Sequence, residues 1–240
     1  MKLLAFDTST EILSLAVAAG PAAPVLEHTA PGGAQASAGL IPAIQQLLAQ
    51  AGLALRDLDA IAFGRGPGSF TGLRTATAVA QGLGFGAGIP VLAIDTLLAV
   101  AEEARAQAGA ERIVALLDAR MGEVYVAAYE HAEGRWRTRQ PPALALPEDV
   151  AVPAGWALAG NALELHGDRL PAAARRIPAL PTARALLRLA PAALAEGGPH
   201  AAAQALPLYI RDKVAQTTEE RAADRTRKER LRGTSGGETT

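Results

Sequence analysis

At 240 residues, of which 50% are hydrophobic, the chain is long enough to enclose a core without staples, and its formal charge of −1 gives it no overall field to draw in nucleic acid. It contains no cysteine, which excludes disulfides, thiolate metal sites and a thiol nucleophile. Any contact with RNA has to come from a local basic patch or from another subunit.

Lys2 precedes an apolar run, but that run is only Leu3 to Phe6 before Asp7, too short for a signal-peptide core, so it reads as a strand buried on both faces. Asp7-Thr8-Ser9-Thr10 turns the chain, and Ile12–Ala18 returns as a second strand. A Pro/Gly loop leads to a helix over Ala36–Ala51, in which Leu40, Ile41, Ile44, Leu47 and Leu48 make one apolar stripe. Pro42 is comfortable only in a first turn, which leaves the start of this helix open; Gly52 caps its end. Ala60–Phe63 is a short strand, and the loop after it opens a helix running to about Phe85. Val91–Ile94 is a strand, and Asp95 or Thr96 caps a helix ending near Gly109. The uncharged stretch Thr75–Ile94 is long enough to span a bilayer, but Gly82, Gly84, Gly86, Gly88 and Pro90 would break a membrane helix. The protein therefore reads as soluble and cytoplasmic.

The chain then starts again. Ile113–Leu117 is an apolar strand, Asp118-Ala119-Arg120-Met121-Gly122-Glu123 a turn, and Val124–Tyr129 its hairpin partner. Asp7 and Asp118 both stand where a strand ends in a tight turn. Trp156–Ala159 with Gly160-Asn161 echoes the strand and glycine at Ala60–Gly64, and a weak helical repeat at Thr182–Glu196 must bend at Pro191. Internal similarity of this kind indicates duplicated lobes. Two lobes that each open with a β-hairpin and an Asp at the strand end resemble the actin-like ATPase (ribonuclease H-like) folds, so the expected fold is α/β and duplicated in that manner, with lobes at 1–108 and 109–212. The segment 213–240 is charged, then rich in Gly, Ser and Thr; it cannot build a core and is expected to be a disordered tail.

The strongest local feature is Gly64–Arg74, GRGPGSFTGLR. Glycines let a backbone approach a ligand closely, and a following helix N-terminus offers free N–H groups to an anion. The phosphate fingerprints nevertheless fail: no lysine lies in the stretch, and the third glycine of G-x-G-x-x-G would fall on Ser69. A tight structural turn is the competing reading. Beyond it, Gly72, Ala76, Ala80 and Gly84 recur every four residues and leave a groove almost without side chains. That groove could receive the chain's own Ala36–Ala51 helix or another subunit. In actin-like ATPases a strand-end Asp holds magnesium and a D-x-G-[ST] turn touches the γ-phosphate. Here Asp7 is followed by Thr8, Ser9 and Thr10, hydroxyls without the glycine, and the turn after Asp118 has no hydroxyl at all. Either Asp could instead cap its own turn. His28, His131, His166 and His200 fall in expected loops and never at helical spacing, so neither a metal site nor a Ser-His-Asp triad is indicated.

GPGSFTGLR after a short strand, Leu4-Ala5-Phe6-Asp7-Thr8-Ser9-Thr10, Asp118-Ala119-Arg120-Met121-Gly122-Glu123-Val124-Tyr125 and Pro207-Leu208-Tyr209-Ile210-Arg211 together resemble the TsaB (YeaZ) family, in order, over about residues 1–215. The resemblance implies a role in making threonylcarbamoyladenosine in tRNA, as a non-catalytic subunit that pairs with the transferase TsaD and activates it. The ATPase TsaE joins the pair, and tRNA is met only through the complex. It also implies that a dimer contact is made by the two first-lobe helices, here Leu40, Ile44, Leu47, Phe70, Gly72, Leu73, Ala76, Ala80, Leu83 and Gly84, which turns the small-residue groove towards an interface. A bulky Ala80→Trp is then expected to block association while sparing the isolated fold. TsaD carries two metal-binding histidines on the helix matching Ala36–Ala51, where this chain has none; family members often have a histidine just before it, where this chain reads Gly33-Ala34-Gln35-Ala36-Ser37. No cofactor or metal is expected, unless ATP or ADP binds at a junction with TsaD. Asp7, Thr8, Ser9, Thr10 and Asp118 form a vestigial nucleotide site, and self-association through the same helices in the absence of TsaD is a further expectation. The rivals are an independent actin-like ATPase or small-molecule kinase working through Asp7 and Asp118, and a metallopeptidase.

Overall fold

The computed structural model describes residues 1–173, 175–197 and 201–211. Strands β1 (Lys2–Asp7), β2 (Ile12–Ala19) and β3 (Leu26–Pro31) form an antiparallel meander. On the other side of β1, β4 (Ala60–Gly66) and β5 (Val91–Asp95) add in parallel, giving the order β3-β2-β1-β4-β5. The second half repeats this plan. β6 (Arg112–Asp118), β7 (Val124–Ala132) and β8 (Arg135–Ala145) are the meander, and β9 (Ala157–Gly160) and β10 (Arg175–Ile177) the parallel pair, in the order β8-β7-β6-β9-β10. Same order and same pairing senses, strand for strand, make this a duplicated actin-like, ribonuclease H-like α/β fold, as the repeated hairpins indicated.

Five helices complete it among the described residues: α1 (Ala36–Gln50), α2 (Phe70–Ala87), α3 (Thr96–Ala108), α4 (Ala162–His166) and α5 (Ala183–Gly197). The strand period of two sorts the first sheet into two faces. Leu4, Phe6, Ile61 and Phe63 meet α1 and α2, whereas Leu3, Ala5, Ala60 and Ala62 meet α5. Alanine dominates the second interface on both sides, so α5 lies close to its sheet. The helices are exchanged between lobes: α3 follows β5 but packs on the second sheet through Leu97, Val100, Ala101 and Ala104, while α5 follows β10 and packs on the first. Glu102 on α3 is buried where these layers join. It accepts hydrogen bonds from Arg105, from Arg188 of α5 and from the indole N–H of Trp136 on β8. Burial alone would push its carboxyl up, but these donors hold it below the ordinary glutamate value.

Three strands went unread in the sequence: β3, β8 and the three-residue β10. β3 lies in the expected Pro/Gly loop and is half-buried at alternate residues only. β8 is an edge strand containing Pro141 and Pro142, which fall where the β7–β8 register shifts, so neither proline takes a ladder N–H from its partner. Pro42 lies inside α1 and not in its first turn, and Pro191 inside α5; both are exposed, on the side where a lost helical bond costs least. His28 belongs to β3, His131 to β7 and His166 to α4, not to loops; His200 lies outside the described residues. Met1–Ile210 form one compact unit; the expected tail at 213–240 lies outside the described residues. Among the described residues no helix is long and apolar enough to cross a membrane, and no cluster of His, Asp and Glu could hold a metal ion.

Candidate functional site

Asp7 closes β1 and is 0% exposed. Its Oδ1 accepts the Ser9 N–H at 2.8 Å and the Ser9 hydroxyl at 2.6 Å, and Thr96 Oγ1 lies 3.5 Å from Oδ2. Burial pushes the carboxyl up to about 6 against the pull of those donors. The glycine-rich segment explains the enclosure. A Cβ on Gly72 would stand 1.8 Å from the Thr8 carbonyl oxygen, and one on Gly68 would stand 2.6 Å from that of Ser9. Thr8 Oγ1 donates to the Gly72 carbonyl at 2.7 Å, and the Ser69 N–H donates to the Ser9 carbonyl at 2.8 Å. The glycines of GRGPGSFTGLR therefore allow close backbone approach, but to the chain's own β1–β2 turn and not to a phosphate.

Asp118 occupies the matching place in the second lobe, with its side chain 10% exposed. Its Oδ1 accepts the Arg120 N–H at 3.1 Å and lies 3.1 Å from His166 Nε2, and its own N–H donates to Asn161 Oδ1 at 3.0 Å. Arg120 and Met121 take left-handed conformations (φ 63° and 57°), and the Arg120 guanidinium pairs with Glu11 on the opposing turn. Thus each strand-end carboxylate is engaged by neighbours of its own, Asp7 by Ser9 and Thr96 and Asp118 by Arg120 and His166, while Arg120 and Glu11 join the two turns. Of the sequence-derived nucleotide residues, only Thr10 lines the open cleft, about 950 Å³, beside Glu11, Glu103, Asn161 and Glu164. Its one cation, Arg176, donates to the carbonyls of Gly167, Leu170 and Pro171. Carboxylates around a cleft whose arginine is already satisfied repel a phosphate. His166 and Asn161 were missed as partners of Asp118 because they stand 48 and 43 residues away, at no motif spacing; the glycine-asparagine echo at Gly160-Asn161 was the available signal.

The helix residues chosen from the sequence belong to the chain's own core. Leu40, Ile44, Leu47, Leu73, Ala76 and Ala80 are buried, as are Gly72 and Gly84, while Phe70 and Leu83 are half-buried. The small-residue groove is occupied by the chain itself: Gly72 faces Thr8, Gly84 faces Val91 of β5 and Ala202, and Ala76 and Ala80 lie in the core shared with Leu40 and Ile44 of α1. α2 also carries small residues on its other side. Thr71, Ala78, Gly82 and Gly86 are exposed there, and a Cβ on Gly82 or Gly86 would meet nothing within 4 Å. Phe85, 84% exposed, stands among them, with Ile41 and Pro42 exposed on α1.

The chain is thus a duplicated actin-like α/β protein whose first strand-end turn is packed against its own glycine-rich loop. The family model for TsaD, tRNA N6-adenosine threonylcarbamoyltransferase, matches residues 27–171. The chain is 36% identical over 225 residues to the tRNA threonylcarbamoyladenosine biosynthesis protein TsaB of Escherichia coli, covering 90% of this chain and 96% of that protein. It is 35% identical to TsaB of Haemophilus influenzae, covering 89% and 95% respectively. Among solved structures, YeaZ from Pseudomonas aeruginosa superposes with a TM-score of 0.80 at 43% identity, covering 87% of this chain and 99% of that one. The chain belongs to the TsaB family of tRNA threonylcarbamoyladenosine biosynthesis proteins.

Proposed function

We propose that this chain is a non-catalytic subunit of the cytoplasmic machinery that places threonylcarbamoyl on tRNA, pairing with and activating a TsaD-type transferase. The observation that carries the reading is the enclosure of Asp7: a carboxylate at 0% exposure, with the Thr8 and Ser9 carbonyls in contact with the glycine-rich loop, argues against a magnesium ion and a γ-phosphate held at this turn. The rival ATPase or kinase needs that space. The contact surface is the outward face of α1 and α2, around Ile41, Pro42, Ala78, Gly82 and Phe85, on the side of these helices turned away from the residues that the sequence suggested. An exposed phenylalanine flanked by glycines is an anchor beside room for a partner's backbone. Without TsaD the same face pairs two copies of this chain. TsaE joins the heterodimer, tRNA meets the complex, and any ATP or ADP sits at the subunit junction.

The test is co-purification with the cognate TsaD, followed by a tRNA modification assay with each subunit left out in turn. Modification that requires this chain, from a protein that alone neither hydrolyses ATP nor modifies tRNA, is the expected result. Steady hydrolysis of Mg-ATP by the isolated chain would favour the kinase-like rival.

A further inference from the structure

Arg74 is the residue of the glycine-rich motif that the reading above leaves unused. It is exposed on the first turns of α2, and among the described residues it makes no ion pair. The segment after α5 returns to it. Leu208 N–H donates to the Arg65 carbonyl at 2.7 Å, and the Gln81 amide donates to the Ala205 carbonyl at 2.8 Å. These bonds hold Tyr209 against α2. Its ring stacks on Phe70 with centroids 5.0 Å apart and 22° between planes, and its hydroxyl accepts from Arg74 Nε at 3.3 Å. The Arg74 guanidinium carbon lies 6.0 Å from the Phe70 centroid. Tyr209 remains 41% exposed, and the neighbouring Arg65 is matched by Asp95, so the charge left over is that of Arg74.

We infer that Phe70, Tyr209 and Arg74 form a stacking platform for an unpaired RNA base, with the Arg74 guanidinium on the adjoining phosphate. Two aromatic rings held in a stack, open at one end beside an unneutralised guanidinium, match the way proteins hold single-stranded nucleic acid. A protein anchor instead fills a pocket in its partner, and Tyr209 is a flat ring held against α2 of its own chain. With a formal charge of −1 on the whole chain, attraction for a phosphate has to be local. The inference rests on the proposed role in a complex that acts on tRNA.

The experiment uses the full chain with its TsaD partner and an unmodified tRNA transcript decoding codons that begin with A, with RNA affinity read by anisotropy across salt and partner affinity by light scattering. Tyr209→Ala should weaken RNA binding about tenfold, and Tyr209→Phe should stay within about threefold of the parent because the ring stack survives. Arg74→Gln should lower the slope of log Kd against log salt by about 0.7, the loss of one phosphate contact, with partner affinity unchanged. Unchanged RNA affinity in both Tyr209→Ala and Arg74→Gln overturns the platform, as does a parallel fall in partner affinity, which would make it a protein contact. If the parent chain fails to bind TsaD, the subunit reading falls on its own account. The same variants titrated alone with a short oligoadenylate then decide the platform, by loss or retention of binding.

Discussion

The Asp7 carboxylate occupies the space that a side chain on residue 64 would need: a Cβ added to Gly64 would lie 1.7 Å from Asp7 Oδ2. The clash partner is a short, fully buried side chain held by Ser9, so it cannot swing aside. Gly64→Ala is expected to cost on the order of 3 kcal/mol, or to prevent folding. Gly82→Ala, inside α2 and with open space at its Cβ, should be neutral or stabilise by up to about 1 kcal/mol, because alanine suits a helix interior better than glycine. Thermal melts of the two variants check both signs; equal melting temperatures would mean that Gly64 does not define the enclosure.

Asp7 also predicts a pH dependence. Its folded pKa, about 6, lies above the ordinary 3.8, so the folded state binds its proton more tightly than the unfolded chain does. The contribution of this group is therefore most favourable below about pH 4 and is lost as pH rises through 6. Asp7→Asn keeps an acceptor for Ser9 and gains a donor towards Thr96, without the buried charge. It should be more stable than the parent at pH 8 by about 2 kcal/mol, with the advantage shrinking towards pH 4. Denaturant midpoints of both proteins across that range provide the measurement, and an advantage independent of pH would show that Asp7 is ionised equally in both states.

How much of this was legible follows from what each element buries. β1, β4 and β6 were readable because a strand buried on both faces is an unbroken apolar run, and the duplication was readable because both runs end in Asp. β3, β8 and β10 were not, since edge strands bury one face at most, β3 and β8 include Pro31, Pro141 and Pro142, and β10 is only three residues long. The enclosure of Asp7 depends on Gly64, Gly68 and Gly72, whose role as points of close approach was legible, but not what approached. α2 misled for a related reason. Gly72-Ala76-Ala80-Gly84 and Thr71-Ala78-Gly82-Gly86 are both small-residue faces, and periodicity cannot say which meets the sheet. The bulky residue on the second face, Phe85, was the discriminating signal only once the first was known to be buried.

The layer between the sheets is tied by a carboxylate rather than by apolar contact alone. Glu102→Ala would leave Arg105, Arg188 and the Trp136 indole N–H without their common acceptor in the interior, at a cost of about 3 kcal/mol. Glu102→Gln restores an acceptor without the charge and should recover part of that loss. Because the Glu102 pKa is lowered in the folded state, its stabilisation is present above the ordinary value of 4.5 and disappears as pH falls below it, opposite in sign to Asp7. Calorimetric unfolding at pH 7 and below pH 4 separates the two: Glu102→Ala should matter at the first and much less at the second.

The partner face makes the sharpest demand, because two substitutions on one helix should fail in different ways. Ala80 is buried with no exposure, so Ala80→Trp adds a large side chain into close-packed core and should unfold the chain itself, not merely its association as the sequence suggested. Phe85→Asp combined with Gly82→Arg changes only the exposed side of α2. The isolated double variant should keep its melting temperature to within about 1–2 °C, as surface changes within about 0.5 kcal/mol do in a chain of this size. It should nevertheless lose association with TsaD, since a charged pair replaces the apolar anchor and fills the approach left open by Gly82. Light scattering of the mixed proteins and melts of each alone give both readings. A double variant that still binds would move the contact off this face, and an Ala80→Trp chain that folds and fails to bind would return it to the groove that the sequence first indicated.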